Sequence, residues 1–228
     1  MPIPPPSDKP ARALVTGGNG NLGAAVAARL VAAGCEVHVT ALDGTPRPGL
    51  RVHPVDLADP AAAARMAAAI GGPLDAVVAT VGGFVGGPFA AMDPALFDQQ
   101  YALNLKSTLV TLHATYPLLK ANPRGGAVVL VGNRPALSSG PGVAVTAAMK
   151  AAVIHLARSL AAEWKRDGIT VNAIAPGIMD TPQNRRDMPD ADPAAWPTPE
   201  QVADVVAFLV AREGAIVSGA VVPVFGRS

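Results

Sequence analysis

Apolar positions along this 228-residue chain fall into two alternating kinds of run. The first kind is short and nearly unbroken: Ala13-Leu14-Val15-Thr16, Val37 to Leu42, Leu74 to Thr80 and Ala127 to Val131. Without polar alternation, such runs predict strands covered on both faces rather than a half-solvated sheet. The second kind repeats at helical spacing, over Leu22 to Val31, Ala61 to Ile70, Asp93 toward Leu119, and about Val143 to Trp164. Asp93-Pro94 reads as an N-cap with proline at the first helical position. Thr198-Pro199-Glu200-Gln201 reads as a capping box opening a helix that ends near Arg212. Arg51 to Pro54, Thr170 to Ala175 and Ala220 to Val224 supply the remaining strands.

Strands and helices in this order predict an α/β fold: a Rossmann-type doubly wound parallel sheet of about seven strands with right-handed crossovers. One such domain accounts for residues 11–228, and its ligand site is expected beyond the carboxyl ends of the strands. The proline-rich residues 1–10 predict a flexible leader. Residues 179–197 mix Asp, Arg and Pro with little apolar periodicity, which predicts either a lid closing over a substrate or a solvated surface loop.

Composition narrows the partners. Half of the residues are apolar and only 4% aromatic, and 18 basic against 17 acidic side chains leave a net charge of +1 without a cationic run that could follow a phosphate backbone. Nucleic acid is therefore not an expected partner. No uncharged apolar run reaches membrane-spanning length, and Met1 to Asp8 lack the basic and apolar regions of a signal peptide, so a cytoplasmic protein without a membrane partner is expected. Cys35 is the single cysteine, and no Cys or His cluster has metal spacing, so no metal is expected.

Gly18-Asn19-Gly20-Asn21-Leu22-Gly23 fits G-x-G-x-x-G, with a strand before it and a helix after it. Glycine allows positive φ and lets backbone N–H groups approach a pyrophosphate, which the positive end of the helix dipole also attracts. Together with this turn, nearly all of the chain resembles the short-chain dehydrogenase/reductase superfamily. Gly17 to Gly23 resembles the family's glycine motif, with Asn21 where compact members have glycine and Gly20 at the spacing of extended members. Asp56-Leu57 resembles the pair that holds the adenine ring, and Ala79 to Gly82, including Val81, falls at the segment after the fourth strand. Asn104 matches the asparagine of the long helix, and Pro176-Gly177-Ile178-Met179-Asp180-Thr181 matches the segment meeting the nicotinamide end. Residues 180–196 are locally similar to dihydropteridine reductases.

The resemblance implies a nicotinamide dinucleotide held by Gly17, Gly20, Asn21, Leu22, Gly23, Asp56, Leu57, Val81, Gly82, Lys150, Pro176, Gly177, Ile178 and Thr181. It also implies a homo-oligomer, dimer or tetramer. The family pairs a tyrosine with a lysine four residues later, the ammonium lowering the phenol pKa. Lys150 is that lysine, and the tyrosine position holds Thr146, whose hydroxyl is far less acidic. The family's serine, about thirteen residues earlier, is matched by Asn133, whose amide can still donate to an oxyanion. Lys150, Asn104, Asn133 and Thr146 are thus the candidate catalytic residues. Tyr101 and Tyr116 lack the lysine spacing and read as packing or subunit contacts, and Arg134 reads as a loop arginine or a cation aimed at the pocket. Gly82 to Phe89 forms a glycine-rich loop with two aromatic rings, suited to a pocket wall.

Family spacing puts the residue that holds the adenosine ribose near Ala41 or Leu42; Asp43, one or two positions later, is within reach of that role and leans the cofactor weakly toward NAD, while Arg47 keeps NADP open. Three functions follow. The first is an NAD(P)-dependent oxidoreductase with an atypical site, acting on a small carbonyl, imine or quinonoid compound. The second is a non-redox isomerase, cyclase or lyase on this scaffold, and the third is a cofactor-binding subunit without chemistry.

Overall fold

The computed structural model describes residues 11–227; the predicted leader, residues 1–10, lies outside them. In chain order the strands are β1 (Arg12–Val15), β2 (Glu36–Thr40), β3 (Leu50–His53), β4 (Ala76–Ala79), β5 (Gly126–Val131), β6 (Ile169–Pro176) and β7 (Val221–Val224). They form one parallel 7-stranded sheet in the order β3-β2-β1-β4-β5-β6-β7, the doubly wound arrangement expected from the sequence. The helices are α1 (Asn21–Ala32), α2 (Pro60–Ile70), α3 (Ala95–Gln100), α4 (Ser107–Lys120), α5 (Pro135–Ser138), α6 (Ala144–Glu163), α7 (Pro182–Asp187) and α8 (Pro199–Val210).

Successive strand residues feed opposite layers, which explains the unbroken apolar runs. Val15, Val39, Val78, Val129 and Ile174 pack against α1 and α8, while Leu14, Val77, Val128 and Leu130 pack beneath α2, α4 and α6. Helix α6 is apolar and long enough to cross a bilayer, yet it buries Val153, Ile154, Ala157 and Ala161 against the sheet as a core helix does. The capping box at Thr198 and Gln201 is present at the start of α8.

Two elements differ from the sequence expectation. The single helix expected from Asp93 to Leu119 is interrupted by a π-helical segment, Tyr101–Lys106. Asn104 in that segment is fully buried and turns its amide inward, and Ser107, Thr108, Thr111 and Thr115 each bond the carbonyl four residues back, competing with the regular ladder. Within 179–197 a short helix forms, because Thr181 caps the N–H of Asn184 and Pro182 stands at the first helical position. Trp196 closes that segment as a buried anchor, and Arg185 grips both carboxylate oxygens of Asp180 at 2.6 and 2.7 Å.

At the β3 edge, β2 departs from its apolar pattern. His38, buried, stacks on His53 with ring centroids 5.2 Å apart and Nδ1 2.9 Å from its Nε2. Arg12 lies 3.4 Å from the other His38 nitrogen and Glu36 3.3 Å from it, Arg51 in turn pairing with Glu36 at 2.7 Å. Burial, with His53 and Arg12 beside it, pulls the His38 pKa down to about 4, and burial lowers that of His53. Below pH ~6.5 the unfolded chain therefore takes up protons that the folded chain refuses. Stability is expected to fall by about 3 kcal/mol between pH ~6.5 and ~4, read as a shift of the urea midpoint, and His38→Leu should flatten that slope.

Candidate active site

The carboxyl ends of β1 and β4 are stitched by two threonines. Thr16 Oγ1 accepts the N–H groups of Thr80 at 3.0 Å and Val81 at 3.3 Å, and Thr80 Oγ1 donates back to the Thr16 carbonyl. From β2, Thr40 holds the glycine turn: its hydroxyl accepts Gly17 N–H at 3.0 Å and its carbonyl accepts Gly18 N–H at 2.9 Å. Gly17 has φ +68°, which a side chain would strain. A Cβ on Gly23 would sit 2.2 Å from the Gly17 carbonyl oxygen, so this glycine lets α1 start against the turn. No side chain caps α1, and the N–H groups of its first turn remain the positive end of the helix.

Next to this turn lies a cleft of about 470 Å³, lined by Gly17, Gly20, Asp56, Leu57, Val81 and Gly82 among the residues expected from sequence. Asn19, Thr40, Thr80, Gln99 and Ser107 also line it. Asn21, Leu22 and Gly23 sit behind it in the first turn of α1, Leu22 and Gly23 being buried there. Asp56 folds an oxygen onto the N–H of Ala58 at 2.8 Å and leaves the rest of its carboxylate exposed. Asp43 is not part of the lining. It accepts from the Thr45 backbone and pairs with Arg47 at 3.4 Å, contacts that lower its pKa, and Leu42 stands at the rim instead.

Past Gly82 the cleft meets a buried polar group. Lys150, only 7% exposed on α6, donates Nζ to the Val131 carbonyl at 2.9 Å. A Cβ on Gly82 would stand 2.7 Å from that Nζ and 2.8 Å from Asn104 Oδ1, so the loop's glycine packs directly on both. Burial alone pushes the Lys150 pKa down to about 8. Thr146, one turn earlier, is 1% exposed, and its hydroxyl accepts Val85 N–H at 3.1 Å and donates to the Val85 carbonyl at 2.9 Å. Asn133 Oδ1 accepts the N–H of Ala136 in the first turn of α5 at 2.9 Å, while Arg134 lies 4.9 Å from the centroid of the Phe225 ring. Pro176 ends β6 and Gly177 and Ile178 follow it, Ile178 exposed and Thr181 buried as the α7 cap. Tyr116 lies at the opposite edge, donating to Asp167 at 2.7 Å and packing on Trp164, whereas Tyr101 is exposed on the π-helical segment.

Sequence reasoning missed Thr40 and Gln100, and reached Thr80 only within the stretch Ala79 to Gly82 without a role of its own. The threonines look like ordinary strand residues, and Gln100 like a polar position on a long helix; only contacts between elements single them out.

A family model described as Enoyl-(Acyl carrier protein) reductase matches residues 18–226. The chain belongs to the short-chain dehydrogenase/reductase family. It is similar to the 3-oxoacyl-[acyl-carrier-protein] reductase MabA of Mycobacterium tuberculosis, 32% identical over 227 residues, covering 93% of this chain and 90% of that one. It is also 30% identical over 247 residues to the (3R)-3-hydroxyacyl-CoA dehydrogenase of Rattus norvegicus, covering 95% of each. Among solved structures, it shares its fold with 3-ketoacyl-(acyl-carrier-protein) reductase from Brucella melitensis complexed with NADH, at TM-score 0.85 and 22% identity over 96% of this chain and 98% of that one. The protein is an oxidoreductase of the short-chain dehydrogenase/reductase family with a nicotinamide-dinucleotide-binding Rossmann fold.

Proposed function

We propose that this family member transfers a hydride between NAD(P) and a small carbonyl, imine or quinonoid compound, with the Lys150 ammonium serving as proton source in place of the family's tyrosine. One observation carries the reading. Nζ of Lys150 is buried against Gly82, a residue of the cleft lining, with its pKa lowered to about 8, whereas the Thr146 hydroxyl is committed to the Val85 backbone. An acid with a pKa close to working pH is suited to proton transfer, and an aliphatic hydroxyl turned toward a backbone carbonyl is not. Polarised imine or quinonoid substrates suit such a site best, because they ask less of the acid.

The lining of the cleft supports a dinucleotide. Its glycines leave backbone N–H groups of the turn and the α1 terminus for a pyrophosphate, and Asp56 and Leu57 stand where an adenine would lie. Pro176, Gly177, Ile178 and Thr181 would flank the nicotinamide end, and Asn104 and Lys150 the ribose. When bound, the nicotinamide supplies or accepts the hydride. Asp56 is the one charged residue in the lining among the described residues, and the absence of a lining cation there favours NAD over a 2′-phosphorylated cofactor. Leu109, exposed on α4, supports a homo-oligomer through that helix. A cytoplasmic protein with a small-molecule substrate and no nucleic-acid or membrane partner completes the reading.

The test is a fluorescence titration with NADH and NADPH, followed by nicotinamide absorbance against quinonoid, imine and carbonyl compounds. Expected are tighter binding of NADH and oxidation by the polarised acceptors. Tight binding without turnover would leave a binding subunit or a non-redox enzyme, and no binding would overturn the cradle itself.

A further inference from the structure

Loop 82–87 is tied down along its length. Gly83 N–H donates to Asn104 Oδ1 at 3.1 Å, Val85 exchanges two bonds with the Thr146 hydroxyl, and Gly87 N–H donates to the Gly142 carbonyl at 2.8 Å. Phe84 stands out of the loop, 67% exposed. Behind the loop lies Gln100, 4% exposed at the last position of α3, and its Oε1 accepts Asn104 Nδ2 at 2.9 Å. The same Oε1 lies 3.3 Å from the Thr146 hydroxyl.

Donor and acceptor chemistry makes this a directed chain. A backbone N–H can only donate, so Gly83 requires the oxygen of the Asn104 amide. That turns the Asn104 NH2 toward Gln100, which must meet it with its own oxygen. The Thr146 hydroxyl has one proton; the shorter contact gives it to Val85, and Gln100 Oε1 is the alternative acceptor if that bond opens. The π-helical segment that follows Gln100 brings Gln100 and Asn104 to the same buried face.

We propose that Gln100 is a positioning residue that orients Asn104 and, together with Thr146, clamps loop 82–87 as a rigid wall beside Lys150. Thr146 then acts as an anchor for the loop. Of loop 82–87 only Gly82 lines the cleft at the glycine turn, and Gln100 does not, so the clamped residues 83–87 serve the reacting end more than the grip on adenosine. Its effect on turnover rests on the oxidoreductase reading above; the clamp itself does not.

The experiment compares the full chain with Gln100→Met, Gln100→Glu and Thr146→Val, by hydrogen exchange of residues 82–88, by NADH fluorescence and by turnover. Losing an orienting hydrogen bond is expected to speed exchange in the loop by about tenfold in Gln100→Met and Thr146→Val. Gln100→Glu keeps the acceptor oxygen when burial holds it as the neutral acid, and measured at pH ~5 it is expected to retain wild-type protection. Turnover of Gln100→Met should fall by about tenfold with NADH affinity unchanged, a split that a general loss of structure would not produce. Unchanged loop protection in Gln100→Met, equal damage in Gln100→Glu, or a parallel loss of NADH affinity would overturn the proposal. If Gln100→Met does not fold, Thr146→Val decides, and wild-type protection in that variant sinks the clamp. Should the wild-type protein bind NADH without turnover, the oxidoreductase reading fails while the exchange result still decides the role of Gln100.

Discussion

Replacing Lys150 with methionine is expected to lower turnover on the order of a thousandfold, the range by which a positioned general acid accelerates a reaction. The same variant should fold at least as well as the wild type. Holding the ammonium charged at pH 7, when its pKa has dropped from 10.5 to about 8, costs about 3 kcal/mol. Against this stands the Val131 carbonyl, which loses its donor at a cost of about 1–3 kcal/mol. The balance predicts a urea-unfolding free energy unchanged or up to ~2 kcal/mol higher. Loss of activity together with loss of stability would point to a structural lysine. In the wild type, turnover in the reducing direction should fall as pH rises through about 8, because the acid form disappears there. A rate flat from pH 7 to 9.5 under saturating cofactor would contradict a proton delivered by Lys150.

The second large effect is expected at Gly23. Alanine in a helix interior normally gains up to about 1 kcal/mol over glycine. Here its Cβ would lie 2.2 Å from the Gly17 carbonyl oxygen and 2.9 Å from Thr80 Oγ1, and the first obstacle is backbone that cannot rotate away. Overpacking of this kind costs about 1–3 kcal/mol or more, so the clash outweighs the propensity. Relief requires α1 to move off the turn, which also displaces the N–H groups of the phosphate cradle. Gly23→Ala should therefore lose ~2 kcal/mol in urea unfolding and most of its NADH affinity by fluorescence titration. Gly20→Ala is the control. Its Cβ would be 3.4 Å from the Gly17 oxygen at an ordinary φ of −81°, so its unfolding free energy should stay near wild type even though Gly20 lines the cleft. If the two variants behave alike, close approach of helix to turn is not what Gly23 provides.

The sequence by itself determined the alternation of strands and helices, the parallel sheet, the glycine turn and the position of Lys150. Each of these is written in local signals: apolar runs such as Val128 to Val131 that need cover on both faces, a cap such as Thr198 with Gln201, and a turn whose glycines precede a helix. The tertiary structure decided where hydrogen bonds that could go several ways do go. Asp43 could have faced a ribose but turns to Thr45 and Arg47, and Thr146 could have faced a substrate but spends both sides of its hydroxyl on Val85. Gln100 became visible only because the helix widens to a π turn after it and places it against Asn104 and α6. Short polar side chains choose among partners that lie far apart in sequence, and that choice is settled by packing, which periodicity does not encode.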